Sequence, residues 1–168
     1  MLLGSTPQQN TNLPDTEPLV IQLLSQKRYA EVYELLNNQK SNTTAALYNL
    51  ALCLEWSGRY QEALSKLESI QLAPQTSHST QLNSSGDYLA IKTKQNQTAD
   101  YLQGISEMYV KVFPVMVHDA IIRLKTDCWL QLGNYPKVIA IATPIAHKGY
   151  QNITDALQVA NMATGQTT

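Results

Sequence analysis

The pentapeptide Arg28-Tyr29-Ala30-Glu31-Val32 returns as Arg59-Tyr60-Gln61-Glu62-Ala63, with its tyrosine 31 residues further on. A looser copy, Asn134-Tyr135-Pro136-Lys137-Val138, follows 75 residues after the second tyrosine. That interval fits two periods of about 34 residues with a short insertion. Lys27, Gly58 and Gly133 precede the three copies and end one helix each, and an apolar stripe then opens the next helix. The tyrosine ring belongs in the groove between the two helices. A chain that repeats a helix-turn-helix at this period cannot bury the face of one unit alone, so the units must stack on their neighbours. The fold class this predicts is all-α.

Residues 1–16 hold Pro7, Pro14 and a Gln-Gln-Asn-Thr-Asn run, and read as a flexible leader. A helical repeat domain is expected over 17–164, with a tail at 165–168. Leu19, Val20, Leu23 and Leu24 mark the first helix, and Val32, Leu35 and Leu36 the second. Thr44 to Trp56 carries its core stripe at Leu47, Leu50, Ala51 and Leu54, the spacing of one helical face. Tyr60 to Leu72 follows, with Ala63, Leu64, Leu67 and Ile70 inward and Pro74 as its stop. Residues 75–100 form a polar, irregular insertion in which Tyr88 to Ile91 anchor at most a short helix. Tyr101, Ile105, Met108, Tyr109 and Val112 return to helical spacing, and Tyr101, Tyr109 and Phe113 read as core. Pro114 breaks the chain, with His118-Asp119 opening or interrupting the helix that spans Val115 to Leu132. Val138 to His147 forms a further helix closed by Gly149, and Ile153, Ala156, Leu157 and Ala160 mark the last one.

At these turns the chain resembles the tetratricopeptide repeat family. Residues 44–74 carry the pattern most fully, with Leu47, Leu50 and Ala51 in the first helix, Gly58 and Tyr60 at the turn, then Glu62, Ala63, Leu67 and Pro74. Trp129 with Gly133-Asn134-Tyr135 repeats it, departing from it at Lys125 and Thr126, and residues 75–118 barely match. The resemblance covers about half the chain. It implies a right-handed α-solenoid of about three units plus a terminal helix, whose first helices line a concave face that holds peptide segments of partners.

Helical geometry then names the groove residues. At about 100° per residue, Tyr48, Leu52 and Glu55 share a face beside the core stripe, flanked by Asn49. Arg123, Asp127 and Leu130 are the equivalent positions of the C-terminal unit. Asn49 and Arg123 match two positions of the carboxylate clamp found in chaperone-binding members of the family. Asp127, Glu17 and Ile21 stand where that clamp needs other residues, which points instead to a mixed apolar and polar groove. The bland alternative for Arg123 and Asp127 is an exposed i,i+4 pair worth a few tenths of a kcal/mol.

Chemistry of other kinds finds no pattern. Cys53 and Cys128 each lie five residues before a turn glycine, beside the core stripe, and read as small buried hydrophobes. His78 falls in the polar insertion, and His147-Lys148 ends a helix where cations complement the dipole. No catalytic or metal-binding motif occurs, so no enzyme, metal or cofactor is expected. The net charge of −1, with 15% charged residues, gives no footprint for nucleic acid. Polarity comes instead from 11 Asn, 16 Gln, 15 Thr and 11 Ser, so a groove should recognise shape and neutral hydrogen bonds rather than opposite charge. No run approaches the roughly 20 apolar residues of a membrane span, and no secretory signal opens the chain; the expected location is cytoplasmic. The expected function is a non-catalytic adaptor or scaffold that binds a protein or peptide. The alternatives are a structural subunit of a larger assembly, or a small secretion chaperone of the type III kind. The apolar last helix is expected to act as a cap, its alternative being a homo-oligomeric contact.

Overall fold

The computed structural model describes residues 15–73 and 85–165, and no strand occurs among them. Nine α-helices are present in that set: α1 (Glu17–Ser25), α2 (Tyr29–Gln39), α3 (Thr44–Trp56), α4 (Tyr60–Glu68), α5 (Gly86–Gln95), α6 (Glu107–Val112), α7 (Pro114–Gln131), α8 (Tyr135–Ala142) and α9 (Gln151–Thr164). Most of the leader, Pro74, His78 and the end of the tail lie outside the described residues.

The three sequence copies are three copies of one turn. The N–H groups of Arg28, Arg59 and Asn134 bond to the carbonyls of Leu23, Leu54 and Trp129, each five residues back. The residue before each adopts a left-handed conformation: Lys27 at φ 59°, Gly58 at 79° and Gly133 at 67°. This six-to-one bond satisfies a carbonyl that the helix end would leave orphaned. The tyrosine of each copy then opens α2, α4 and α8. In the last copy the Asn134 side chain also accepts from the Lys137 N–H at 3.2 Å, the N-cap bond that helix starts favour.

Each helix packs on the next: α1 on α2, α2 on α3, α3 on α4, then α4 directly on α7, and α7 on α8 and α9. Described residues 85–113, ahead of α7, are not part of this succession, and their helix α6 leans on α3 and α7. One apolar cluster runs from Val20 of α1 to Cys128 of α7, and two smaller ones lie under α8 and α9.

Four expected elements differ in detail. α4 ends at Glu68, not Leu72; the Ser69 hydroxyl donates back to the Ser65 carbonyl at 2.8 Å, and the chain leaves the helix while still delivering Ile70 and Leu72 to the core. The helix expected to reach His147 stops at Ala142 and tightens to a 3-10 helix over Thr143–Lys148, because Pro144 has no N–H for an α-helical bond. Gly149 closes it at φ 69°. His118 and Asp119 sit inside an uninterrupted α7. Tyr101 and Ile105 are not on one helix with Met108: a 3-10 turn at Asp100–Leu102 leads into extended backbone before α6 begins. Of the three aromatics expected in the core only Tyr101 is buried, while Tyr109 and Phe113 pack on each other at the surface, 5.2 Å apart.

Candidate interaction face

α3 is buried without a break from Ala45 to Leu54. A helix apolar around its circumference must be covered on every side, and α2 and α4 cover only part of it. Further cover comes from α6 and from the stretch 96–106, which leads from α5 to α6 and brings Tyr101 and Ile105 against α3.

Asn49 grips this stretch by its backbone. Its Nδ2 donates to the Ile105 carbonyl at 2.8 Å, and its Oδ1 accepts from the Ile105 N–H at 2.9 Å. One carboxamide thus satisfies both polar groups of one residue, the pairing that a neighbouring strand would otherwise supply. These are also the groups that a helix through Ile105 would have used itself, which is why the helix stops short. The Tyr48 hydroxyl donates to the Tyr101 carbonyl. Gly104 passes so close to α1 that a Cβ there would stand 2.5 Å from Leu24 Cδ1.

α7 holds the other end of the stretch. Arg123 donates from Nη2 to the Thr98 carbonyl at 2.8 Å, from Nη1 to Asp100 Oδ1 at 2.7 Å, and from Nε to Asn152 Oδ1 of α9 at 2.8 Å. Its guanidinium lies between the rings of Tyr101 and Tyr150, 4.1 and 4.4 Å from their centroids. Asp127 accepts from the Tyr101 hydroxyl and, at 3.0 Å, from Asn152 Nδ2. Nearby, the buried Asp119 accepts from Lys148 Nζ at 2.8 Å on each oxygen and from the Tyr150 hydroxyl at 2.6 Å.

The residues assigned to the groove from the sequence therefore divide. Tyr48, Asn49, Arg123 and Asp127 converge on the chain's own residues 98–105. Leu52 belongs to the large core, and Leu130 turns toward the cluster under α8 and α9. Glu55 is partly buried; burial raises its pKa, and the charge of Asp127 adds to the effect. Arg123 and Asp127 do not make the exposed i,i+4 pair: Arg123 is buried and takes Asp100, while Asp127 takes Tyr101 and Asn152. Lys148 does end its helix, as read from the sequence, and is also paired with Asp119. Thr98, Asp100, Tyr150 and Asn152 carry no periodic signal and were not expected at this face. The signal that was available is α3 itself, whose apolar side chains leave no solvated flank.

No family model, curated protein or solved structure matches this chain.

Its chemistry is that of a polar clamp. Burial pushes Asp127 above the ordinary carboxylate range, against the lowering effect of Tyr101, Asn152 and Arg123. Burial also raises the hydroxyls of Tyr48, Tyr101 and Tyr150, which keeps them protonated donors. The thiols of Cys53 and Cys128 are pushed up to about 12 by burial, which favours the neutral thiol near pH 7. Among the described residues, no three His, Cys, Asp or Glu side chains converge as a metal site, and no helix is long and apolar enough to cross a membrane.

Proposed function

We propose that the chain is a non-catalytic protein-interaction scaffold, built as a short tetratricopeptide-like solenoid of three helical hairpins, α1–α2, α3–α4 and α7–α8, with α9 as cap. The three equivalent turns and the packing of each hairpin on the next support this build. The face between α3 and α7 takes an extended polypeptide, and the chain's own residues 98–106 fill that place in this conformation.

The observation that carries this reading is the two-point grip of Asn49 on Ile105. It engages backbone alone, so it suits any extended segment rather than one side-chain sequence. A scaffold without catalysis also fits the thiols held protonated and the engagement of Asp119, Arg123 and Asp127 in bonds within the fold. A photo-crosslinking residue at position 55, on the rim of this face, tests it in the full chain expressed in its source cells. Crosslinks to a segment of another protein are expected. Crosslinks confined to the chain's own residues 98–106 under every condition would sink the partner-holding reading.

A second reading, a structural subunit that docks through residues 85–113, is favoured by a separate observation: α5 and α6 have no buried residue and turn apolar side chains outward.

A further inference from the structure

Asn49 reads backbone alone, but the groups around it read side chains. The buried Arg123 guanidinium needs a counter-charge, and Asp100 supplies it, with Oδ1 2.7 Å from Nη1. The next residue, Tyr101, sets its ring on the same guanidinium and donates its hydroxyl to Asp127. Asp127 is a partly buried carboxylate, so this position favours a hydroxyl donor and rejects a second acid. Three residues on, Gly104 leaves no room for a side chain: a Cβ would stand 2.5 Å from Leu24 Cδ1 and 3.3 Å from Ile21 Cδ1. Ile105 follows and buries its side chain in the large core. Between these fixed points Leu102 is half-buried and Gln103 is exposed.

The ends of this segment are weakly held. It enters from α5 and leaves into α6, and neither helix has a buried residue. At the α5 end Asn96 is anchored on one side only. Its Nδ2 donates to the Lys148 carbonyl at 2.9 Å, while its buried Oδ1 has no hydrogen-bond partner among the described residues. A buried acceptor left unpaired weakens the closed arrangement. A second copy of the chain would bring the identical segment, and would gain no new contact for the freedom lost on association. A segment of another protein can keep the favourable side chains without the Asn96 defect.

We propose that residues 100–105 are an internal pseudo-ligand, and that the partner presents an extended segment of the same pattern. That pattern is an acidic residue, a tyrosine, two less constrained residues, a glycine and an aliphatic residue. The inference rests on the partner-holding reading above and names the sequence class that the face selects. The internal copy competes for the face, so apparent affinity for the partner is reduced to the fraction of molecules in which the face is open. A change that loosens the internal copy, while sparing α3 and α7, raises that fraction.

The test uses the purified full chain, as wild type and as Gly104→Val, with a fluorescein-labelled synthetic peptide of residues 98–106 as the probe. Gly104→Val changes the internal copy and none of the residues that hold it. Fluorescence anisotropy is expected to show this variant binding the peptide at least about tenfold tighter than wild type, a difference of roughly 1.4 kcal/mol. Asp100→Ala, Tyr101→Ala or Gly104→Val made in the peptide is expected to weaken binding about tenfold or more, and Gln103→Ala to leave it unchanged. The wild-type chain is expected to show the same order of preference at higher peptide concentrations. Asp100→Ala in the chain loosens the internal copy in a second way. The unaltered peptide is expected to raise the melting temperature of that variant, and the peptide lacking the aspartate is not. Equal binding of every peptide overturns the pattern while leaving the partner-holding face intact. No binding of the unaltered peptide to any of the three chains overturns the proposal, and crosslinking from position 55 then judges the partner-holding reading on its own. A dimer of the Gly104→Val chain that the peptide does not dissociate assigns the face to a second copy and overturns the proposal as well.

Discussion

Arg123 carries a full positive charge at 2% exposure, which is tolerable only because acceptors and aromatic faces replace the water it lost. Its partner Asp100 has a side chain 24% exposed and keeps some contact with solvent. Breaking the pair from either side is therefore unequal. Asp100→Ala leaves a buried cation without its ion-pair partner and is expected to cost about 3 kcal/mol. Arg123→Met leaves a carboxylate that water can reach and is expected to cost less. Urea unfolding of the two variants measures the order, and the reverse order would mean that the hydrogen bonds to Thr98 and Asn152 outweigh the charge. Glu55 gives a pH test. Burial and Asp127 raise its folded-state pKa, so the folded form holds the proton more tightly than the unfolded chain does. Stability from this group is present in full below the unfolded value of about 4.3 and declines as pH rises through the folded value. Glu55→Gln is expected to melt above the wild type at pH 7, with the gap closing as pH falls to about 4. Melting curves across that range check it. At this scale the 100° periodicity grouped Tyr48 and Asn49 with Arg123, and the structure brings all three to residues 98–105. The periodicity did not show that this face is covered, because the covering residues lie more than fifty positions from Tyr48 and Asn49 in sequence.

The turns were the most legible elements, since a left-handed residue followed by Arg-Tyr or Asn-Tyr is a local signal and the structure repeats it three times. The first copy places Lys27 at φ 59°, where the other two have glycine. A side chain pays roughly 1 kcal/mol for that conformation. Lys27→Gly is expected to stabilise the protein by about that amount, and Gly58→Ala to destabilise it similarly. Paired denaturation curves decide this, and a Lys27→Gly variant no more stable than wild type would show that the lysine makes compensating contacts. The stretch from Asp100 to Val112 was the least legible, although its apolar residues fall at helical intervals. Intervals alone cannot reveal that Asn49 takes both backbone groups of Ile105. A close approach at Gly104 adds a second constraint: Gly104→Val is expected to clash with Leu24 and Ile21 and to loosen the stretch from α1. Faster amide exchange at Ile105 than in the wild type would report it.

A stack of helical hairpins is nearly one-dimensional, because each unit touches its neighbours only, and such arrays unzip from their ends. This molecule has a cross-brace. Residues 96–106 bond to α3 through Asn49, to α7 through Arg123, and to the chain just ahead of α9 through Asn96, whose Nδ2 donates to the Lys148 carbonyl at 2.9 Å. They also pack against α1 at Gly104. This stretch thus ties the N-terminal hairpins to the C-terminal one, and the fold should behave as a single cooperative unit. The two tryptophans sit in different places: Trp56 stacks on Tyr29 at 4.7 Å, and Trp129 packs between the large core and the cluster under α8 and α9. Single-tryptophan versions made by Trp129→Phe and Trp56→Phe are expected to give coincident urea transitions in the otherwise intact chain. Asn49→Leu removes the grip on Ile105 and orphans its buried N–H and carbonyl, a loss of about 1–3 kcal/mol for each group left unpaired. With Arg123→Met added, which also removes the bonds to Thr98 and Asp100, the brace is weakened at both α3 and α7. The Trp129 transition is then expected to move to lower urea than that of Trp56, as the C-terminal hairpin and α9 come away first. Transitions that remain superimposed while shifting together would show that the direct packing of α4 on α7 couples the halves without the brace.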